Sequence, residues 1–407
     1  MTESFAPPAT SESIGFILRL GRALHQFGYA SDRLEELLAQ ASARLQLQGQ
    51  FFSAPTSIYC GFGELEAQRT FLIRADPGSL NLGKLVDLDR VLTEVLYQRL
   101  TPQQGSDAID KIVAAPPEHG RVLTTIACSL ASASAAQFIG GGVKEVLIAG
   151  VIGLVIGLLF LFAALFPSLG KVLEIVAATL AAALADALSH VFGPYSVFIA
   201  TLAGLILLMP GLTLTVALTE LSTRNLVSGT TRLTSALIIF FGIGFGVTLG
   251  TRLAVLGLGA SRYGASLPLP EWAPYASLLI IPLAFAILLQ AHWRDSIWIL
   301  LVVALGVSAS RAGGAFFGAE IGPFIGALTV GIASKIYAQA LQRPSTVTLA
   351  PGLLLLVPGS LGFRSIASLL DHQVVPGVEI AVRMILTAMA LVAGILISNM
   401  LLPVRRR

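Results

Sequence analysis

The chain has 407 residues, 55% of them hydrophobic and only 12% charged. Charged residues run at about half the ~25% usual in a soluble domain, which excludes an ordinary soluble protein. The net charge of +3 is too small to argue for a nucleic-acid partner. With a mean hydropathy of +0.81, the chain reads as a polytopic membrane protein, with the lipid bilayer as a partner.

Residues 1–12 read as disordered. They hold no basic stretch followed by an apolar core, so no signal peptide is expected and the N-terminal part should stay in the cytoplasm. Residues 13–118 read as a small soluble α+β domain. Ile14, Ile17, Leu18, Gly21 and Leu24 keep a helical spacing up to a break at Gly28-Tyr29. Asp32 followed by Glu35 marks a second helix start, with Leu34, Leu37, Leu38, Ala41 and Leu45 as its buried stripe. Ile58, Cys60 and Phe62 alternate, as do Arg69, Phe71 and Ile73, and both runs read as strands. Asp76-Pro77-Gly78 is a turn. A helix should run from Leu82 to Leu100. Another should start at Thr101-Pro102, with Gln104 closing a capping box. Pro116-Pro117-Glu118 is the linker. The two cysteines, Cys60 and Cys128, have no metal-ligand spacing, so neither a metal nor another cofactor is expected. A homo-oligomer is compatible with the sequence.

Ten candidate spans follow, at about 121–141, 146–166, 172–192, 195–211, 233–257, 272–291, 296–310, 320–340, 345–364 and 380–402. The fourth organises the rest. Its apolar run meets Pro210-Gly211 and then turns polar at Thr213, Thr215, Thr219, Glu220 and Arg224. The pattern returns 148 residues later at Pro358-Gly359, and at the same offset Gly229 matches Gly377. Proline and glycine in a span free backbone groups, tolerated only where protein buries them or a watery cavity meets them. Two such interruptions at matching places point to a transporter's binding site. Five spans per half would turn the second half over, giving a 5+5 inverted repeat over 121–257 and 271–402. Counting loop charges, Lys171, Arg224, Arg232, Arg294, Lys335, Arg343 and Arg405 to Arg407 fall inside. Lys144, Arg252, Arg262, Arg311, Arg364 and Arg383 fall outside, a modest bias toward a cytoplasmic N-domain and C-terminus.

The chain resembles the threonine/serine exporter family. The residues that carry this are Gly21 to Gly28, Ala54-Pro-Thr56 and Asn81 to Leu85 in the soluble part. In the membrane part they are Phe138 to Gly142, Met209-Pro-Gly-Leu212, Leu226-Val-Ser-Gly229 and Val357 to Arg364. The resemblance spans nearly the whole chain. It implies a ten-span secondary exporter of small amino acids in the cell (inner) membrane, driven by the proton-motive force. The chain departs from the family after Pro210-Gly211, where an Asn and an Arg-Asp pair are usual. Here Val216 and Thr219-Glu220 stand, so those family residues carry over to no position.

For the substrate, the breaks at Pro210-Gly211 and Pro358-Gly359 are the candidates: the half-helix N-termini there would offer N–H groups to a carboxylate, and the freed carbonyls would suit an ammonium. The competing reading is a packing kink. Thr213, Thr215 and Ser360 could bond a substrate hydroxyl or bond back to their own helices. Asp186, with His190 one turn on, could carry the coupling proton or be an interfacial acid. Glu220 is a further coupling candidate, though with Arg224 four residues on it reads as a surface ion pair. Ser129, Ser132 and Ser134 read as close helix packing. Ser53, Asp32 and His25 in the N-domain form no nucleophile motif. The reading is therefore a proton-coupled exporter rather than an enzyme. The alternatives are a membrane-anchored hydrolase and a passive channel.

Overall fold

The computed structural model describes residues 8–75, 78–259, 263–267, 269–270 and 272–402, with backbone alone at 8–10 and 32. The turn at Asp76-Pro77, Arg262 and Arg405 to Arg407 lie outside the described residues.

The N-domain opens with α1 (Pro8–Gln26) and α2 (Ser31–Arg44). Residues 8–12 are therefore helical rather than disordered. Once the stripe from Ile14 is buried, extending the helix upstream adds one hydrogen bond per residue fixed. Gly28, at φ 81°, ends the first helix by taking a left-handed turn. Helix α2 starts at Ser31, one residue before the expected start at Asp32. Glu35 Oε1 accepts the Ser53 N–H at 2.6 Å, tying α2 to the sheet. The sheet is an antiparallel meander of β1 (Gly49–Ala54), β2 (Ser57–Phe62) and β3 (Arg69–Arg74). Strand β1 was not legible because Phe51-Phe52 breaks the apolar alternation. In the register Phe51↔Cys60↔Phe71, these side chains share the face that packs on the domain core. Then come α3 (Leu82–Leu96), capped by Asn81, and α4 (Pro102–Ala114), with the Thr101/Gln104 capping box formed. Helix α3 ends four residues early, where Gln98 turns left-handed at φ 59°.

The membrane part continues with α5 (Arg121–Phe138), α6 (Val143–Leu165), the short α7 (Pro167–Gly170), α8 (Leu173–Phe192), α9 (Val197–Gly204), α10 (Gly211–Ser222) and α11 (Leu226–Leu258). The second half is α12 (Ala273–Leu288), α13 (Trp293–Phe317), α14 (Gly322–Leu341), α15 (Thr346–Leu354), α16 (Gly359–Leu370) and α17 (Val374–Leu401). Among the described residues seven helical segments, one of them α15 and α16 taken together, are long and apolar enough to cross a membrane, or eight with the bent pair that includes α9 and α10. Helices α5 and α12 fall outside that set. Helix α5 is built of small residues and packs on glycines of α6. A Cβ on Gly153 would stand 2.5 Å from Ser132 Oγ and 2.7 Å from the Cys128 carbonyl. Such contacts let helices approach closely in lipid, where apolarity alone gives no drive to associate.

The two halves match in detail. Helices α10 and α16 are both 12 residues long and start 148 residues apart. Each ends at a left-handed residue, Arg224 (φ 67°) and His372 (φ 61°), again 148 apart. A shift of 150 relates the starts of α6 and α13, each with a buried acid in its first turn, Glu145 and Asp295.

The N-domain seats on three interhelical turns. Leu82 and Gly83, the first residues of α3, donate N–H groups to the Leu289 and Gln290 carbonyls at 2.8 and 2.9 Å. Ser228 of α11 donates to the Ser53 carbonyl at 3.0 Å, covering the β1 edge. Arg33 reaches Ser345 between α14 and α15. At the first turn His292 stands between Glu118 (3.3 Å) and Asp87 (3.7 Å). It borders a 240 Å³ cavity that Lys84 and Lys111 also line. The hydrogen bond to Asp87 and the two carboxylate charges raise its pKa above 6.5, against the opposing effect of burial. A group with a raised folded pKa contributes stability fully present below its unfolded pKa and lost as pH rises through the folded one. Protection of the Leu82 and Gly83 amides, taken as exchange relative to the intrinsic base-catalysed rate at each pH, should therefore be highest in mild acid and fall as pH climbs past that value. His292→Ala should flatten the dependence; an unchanged profile in that variant would remove His292 from docking.

Candidate functional site

The two interruptions meet each other. After α9, residues Ile206–Leu208 make a single 3₁₀ turn and the chain bends by 48° before α10. In the second half the helix stops at Leu354 and restarts at Gly359. Pro210 (φ −80°, ψ 36°) and Pro358 (φ −83°, ψ 38°) adopt the same conformation. A Cβ on Gly211 would lie 2.8 Å from Val357 Cγ2 and 3.0 Å from the Gly359 nitrogen. A Cβ on Gly359 would lie 3.2 Å from Met209 Cβ and 3.6 Å from the Gly211 Cα. Met209 and Val357 correspond at the same offset of 148, so the contacts are reciprocal, as a pseudo-two-fold axis between the breaks requires.

The freed backbone is partly satisfied. Ser132 of α5 donates to the Gly204 carbonyl at 3.2 Å, so this serine serves the break as well as packing. Thr215 is buried and bonds back to the Gly211 carbonyl at 3.1 Å, the self-bonding alternative of the sequence reading. Thr213 and Ser360 are half-buried near the starts of α10 and α16.

The three coupling candidates are not brought together. Asp186 is buried in α8, about 9 Å of helix before its end. His190 is half-buried on the next turn. Beside them the Tyr195 hydroxyl donates to the Ala185 carbonyl. Tyr195 leads into the turn where Ser196 N–H meets Glu145 Oε1 at 2.8 Å. Glu220 lies at the other end of the bundle, next to the N-domain. It is buried, and its partner is Arg232, at 3.1 Å, not Arg224. The left-handed turn at Arg224 points that side chain into solvent, while α11 folds back and delivers Arg232 to the acid. The expected surface pair is thus a buried link between α10 and α11.

Sequence reasoning passed over several buried polar groups. Glu145 accepts from Gly142 N–H, Ser196 N–H and the Ser266 hydroxyl, gathering three loops at one end of the bundle. Its counterpart Asp295 accepts from Tyr337 at 2.7 Å and from Arg343. Their equivalent positions in the two halves were a usable signal. Lys335 and Arg364, counted above as loop charges, lie within α14 and α16. Lys335 is buried and donates to the Ser398 carbonyl at 2.7 Å.

Buried His25 directs Nε2 at the Pro55 carbonyl (2.9 Å), not at Ser53. Its pKa is lowered, chiefly by burial.

Comparison with known proteins accords with this architecture. Residues 15–254 match the family model described as "Putative threonine/serine exporter", and residues 276–401 match "Threonine/Serine exporter, ThrE". Among curated proteins the chain is similar to Pheromone-regulated membrane protein 10 of Debaryomyces hansenii, at 29% identity over 71% of this chain and 29% of that protein. The proteins of that name from Kluyveromyces lactis and Eremothecium gossypii are each 26% identical over 86% of this chain, covering 38% and 48% of their own lengths. The chain thus spans less than half of these relatives. No solved structure matches it. With its multi-pass membrane part and a family match over most of its length, the chain belongs to the threonine/serine exporter family.

Proposed function

We propose that this protein exports small amino acids of the threonine/serine type as a proton-coupled secondary transporter. It would reside in the plasma (inner) membrane with N-domain and C-terminus in the cytoplasm. The observation that carries the reading is the reciprocal contact of the two helix breaks. It puts two half-helix N-termini and the carbonyls of two unwound segments at one point between repeated halves. An amino acid's carboxylate and ammonium suit those two kinds of group. A ten-crossing, 5+5 inverted arrangement is supported by the turns that cluster. The N-domain touches the turns before α11, α13 and α15. The turns before α6, α9 and α12 gather around Glu145. Counting α9 with α10 and α15 with α16 as single broken crossings, strict alternation separates these two sets. It also brings in α5 and α12, which length and apolarity alone do not. Coupling is assigned to Asp186, a buried acid within α8 near the end away from the N-domain.

Two measurements test this. Proteoliposomes should take up labelled threonine or serine saturably, accumulate it under a pH gradient and lose the accumulation with an uncoupler. Flux that never accumulates would make the protein a channel. For topology, Cys60 and Cys128 are buried, and burial pushes the Cys60 thiol up to about 11, so both should stay silent. Ser228 is covered by the N-domain, so exposed Thr223 is the better reporter there. An impermeant thiol reagent on intact cells should label Gln373→Cys and miss Thr223→Cys, with the reverse in inside-out vesicles. Labelling of both from one side would sink the inverted repeat.

A further inference from the structure

Helix α16 is sharply two-sided. Gly362 and Ile366 pack on Phe240 and Gly244 of α11, Leu369 on Gly377 of α17, and Phe363 on Phe198 of α9. Along the remaining side Ser360, Arg364, Ser368 and Asp371 recur at helical spacing, so they form one stripe. The first three are half-buried and Asp371 is exposed, so the stripe opens from the paired breaks toward the far end of the helix.

Arg364 is the unusual member. A cation within a membrane helix is costly and normally meets a counter-charge. Its Nε is buried and meets no acceptor among the described residues, and among them its guanidinium enters no ion pair. The Ser360–Arg364 pair belongs to one half only. At the same offset of 148, α10 carries Leu212 and Val216 where α16 has Ser360 and Arg364. Packing between equivalent helices does not require the arginine, since α10 holds its place without one.

We propose that Arg364, with Ser360 one turn nearer the breaks, is the carboxylate subsite for the transported amino acid. The proposal deepens the transport reading above and rests on it. The guanidinium fork matches a carboxylate bidentately and stays charged at all relevant pH values. The Ser360 hydroxyl can donate to the same group. Because only the second half offers this pair, the substrate would be oriented with its carboxylate toward α16.

The test uses the full chain in nanodiscs with two probes, threonine and threoninol, in which a hydroxymethyl group replaces the carboxylate. The wild type should bind threonine about tenfold to hundredfold more tightly than threoninol, the range for one charge-assisted contact. Arg364→Gln should bring threonine down to the level of threoninol and leave threoninol unchanged. Arg364→Lys should recover part of the preference, since it restores charge without the fork. Equal binding of the two probes by the wild type overturns the subsite without any variant, and so decides the matter even if Arg364→Gln fails to fold. A preference that survives Arg364→Gln overturns it too, and makes the arginine a chain that reaches for headgroups. A wild type that neither binds nor transports threonine or serine overturns the transport reading and the subsite with it. Transport of threonine without discrimination sinks the subsite alone.

Discussion

Gly211→Ala should cut transport severely, by one to two orders of magnitude, with the protein still in the membrane. The added methyl would stand 2.8 Å from Val357 Cγ2 and 3.0 Å from the Gly359 nitrogen. The second of these is backbone and cannot rotate away. Overpacking of this kind costs ~1–3 kcal/mol, and each ~1.4 kcal/mol is tenfold in an equilibrium. The cost falls where the two halves meet, so it should appear in substrate handling before it appears in expression. Gly359→Ala should be milder, because its methyl would meet Met209 Cβ at 3.2 Å and nothing closer. Initial rates of threonine uptake, normalised to protein in the vesicles, check both the loss and its order. Equal, wild-type rates for both variants would reduce the breaks to packing kinks.

Asp186→Asn should abolish accumulation driven by a pH gradient while leaving exchange of labelled for unlabelled substrate. Asparagine keeps the shape of the side chain in its buried place on α8 but cannot carry a proton. One charge moving across 100 mV supplies ~2.3 kcal/mol, or roughly a fiftyfold gradient at ~1.4 kcal/mol per tenfold. That whole factor should vanish in the variant. His190→Gln and Glu220→Gln should retain accumulation if Asp186 alone is the carrier. Glu220 lies at the opposite end of the bundle, paired with Arg232. Full accumulation by Asp186→Asn would return this acid to a structural role.

Composition and local pattern determined a good deal by themselves. The low charge content and long apolar runs required a membrane protein, because so few polar groups cannot cover a soluble fold. The capped start of α4 and the two breaks were legible because proline, glycine and capping residues act within a turn of where they stand. The match of α10 with α16 was legible as an offset of 148, since equal helices and turns need equal numbers of residues. What the sequence left open depended on long-range partners. Glu220 and Arg224 have ideal helical spacing, yet the turn at Arg224 sends its side chain outward and Arg232 takes the acid. Glu35, legible only as part of a helix start, also ties α2 to β1. Whether Thr215 bonds a ligand or its own helix turned on one carbonyl four residues back. Only the tertiary structure brought Gly211 against Gly359, because that contact joins residues 148 apart through the packing of α10, α11, α16 and α17, which no local pattern encodes.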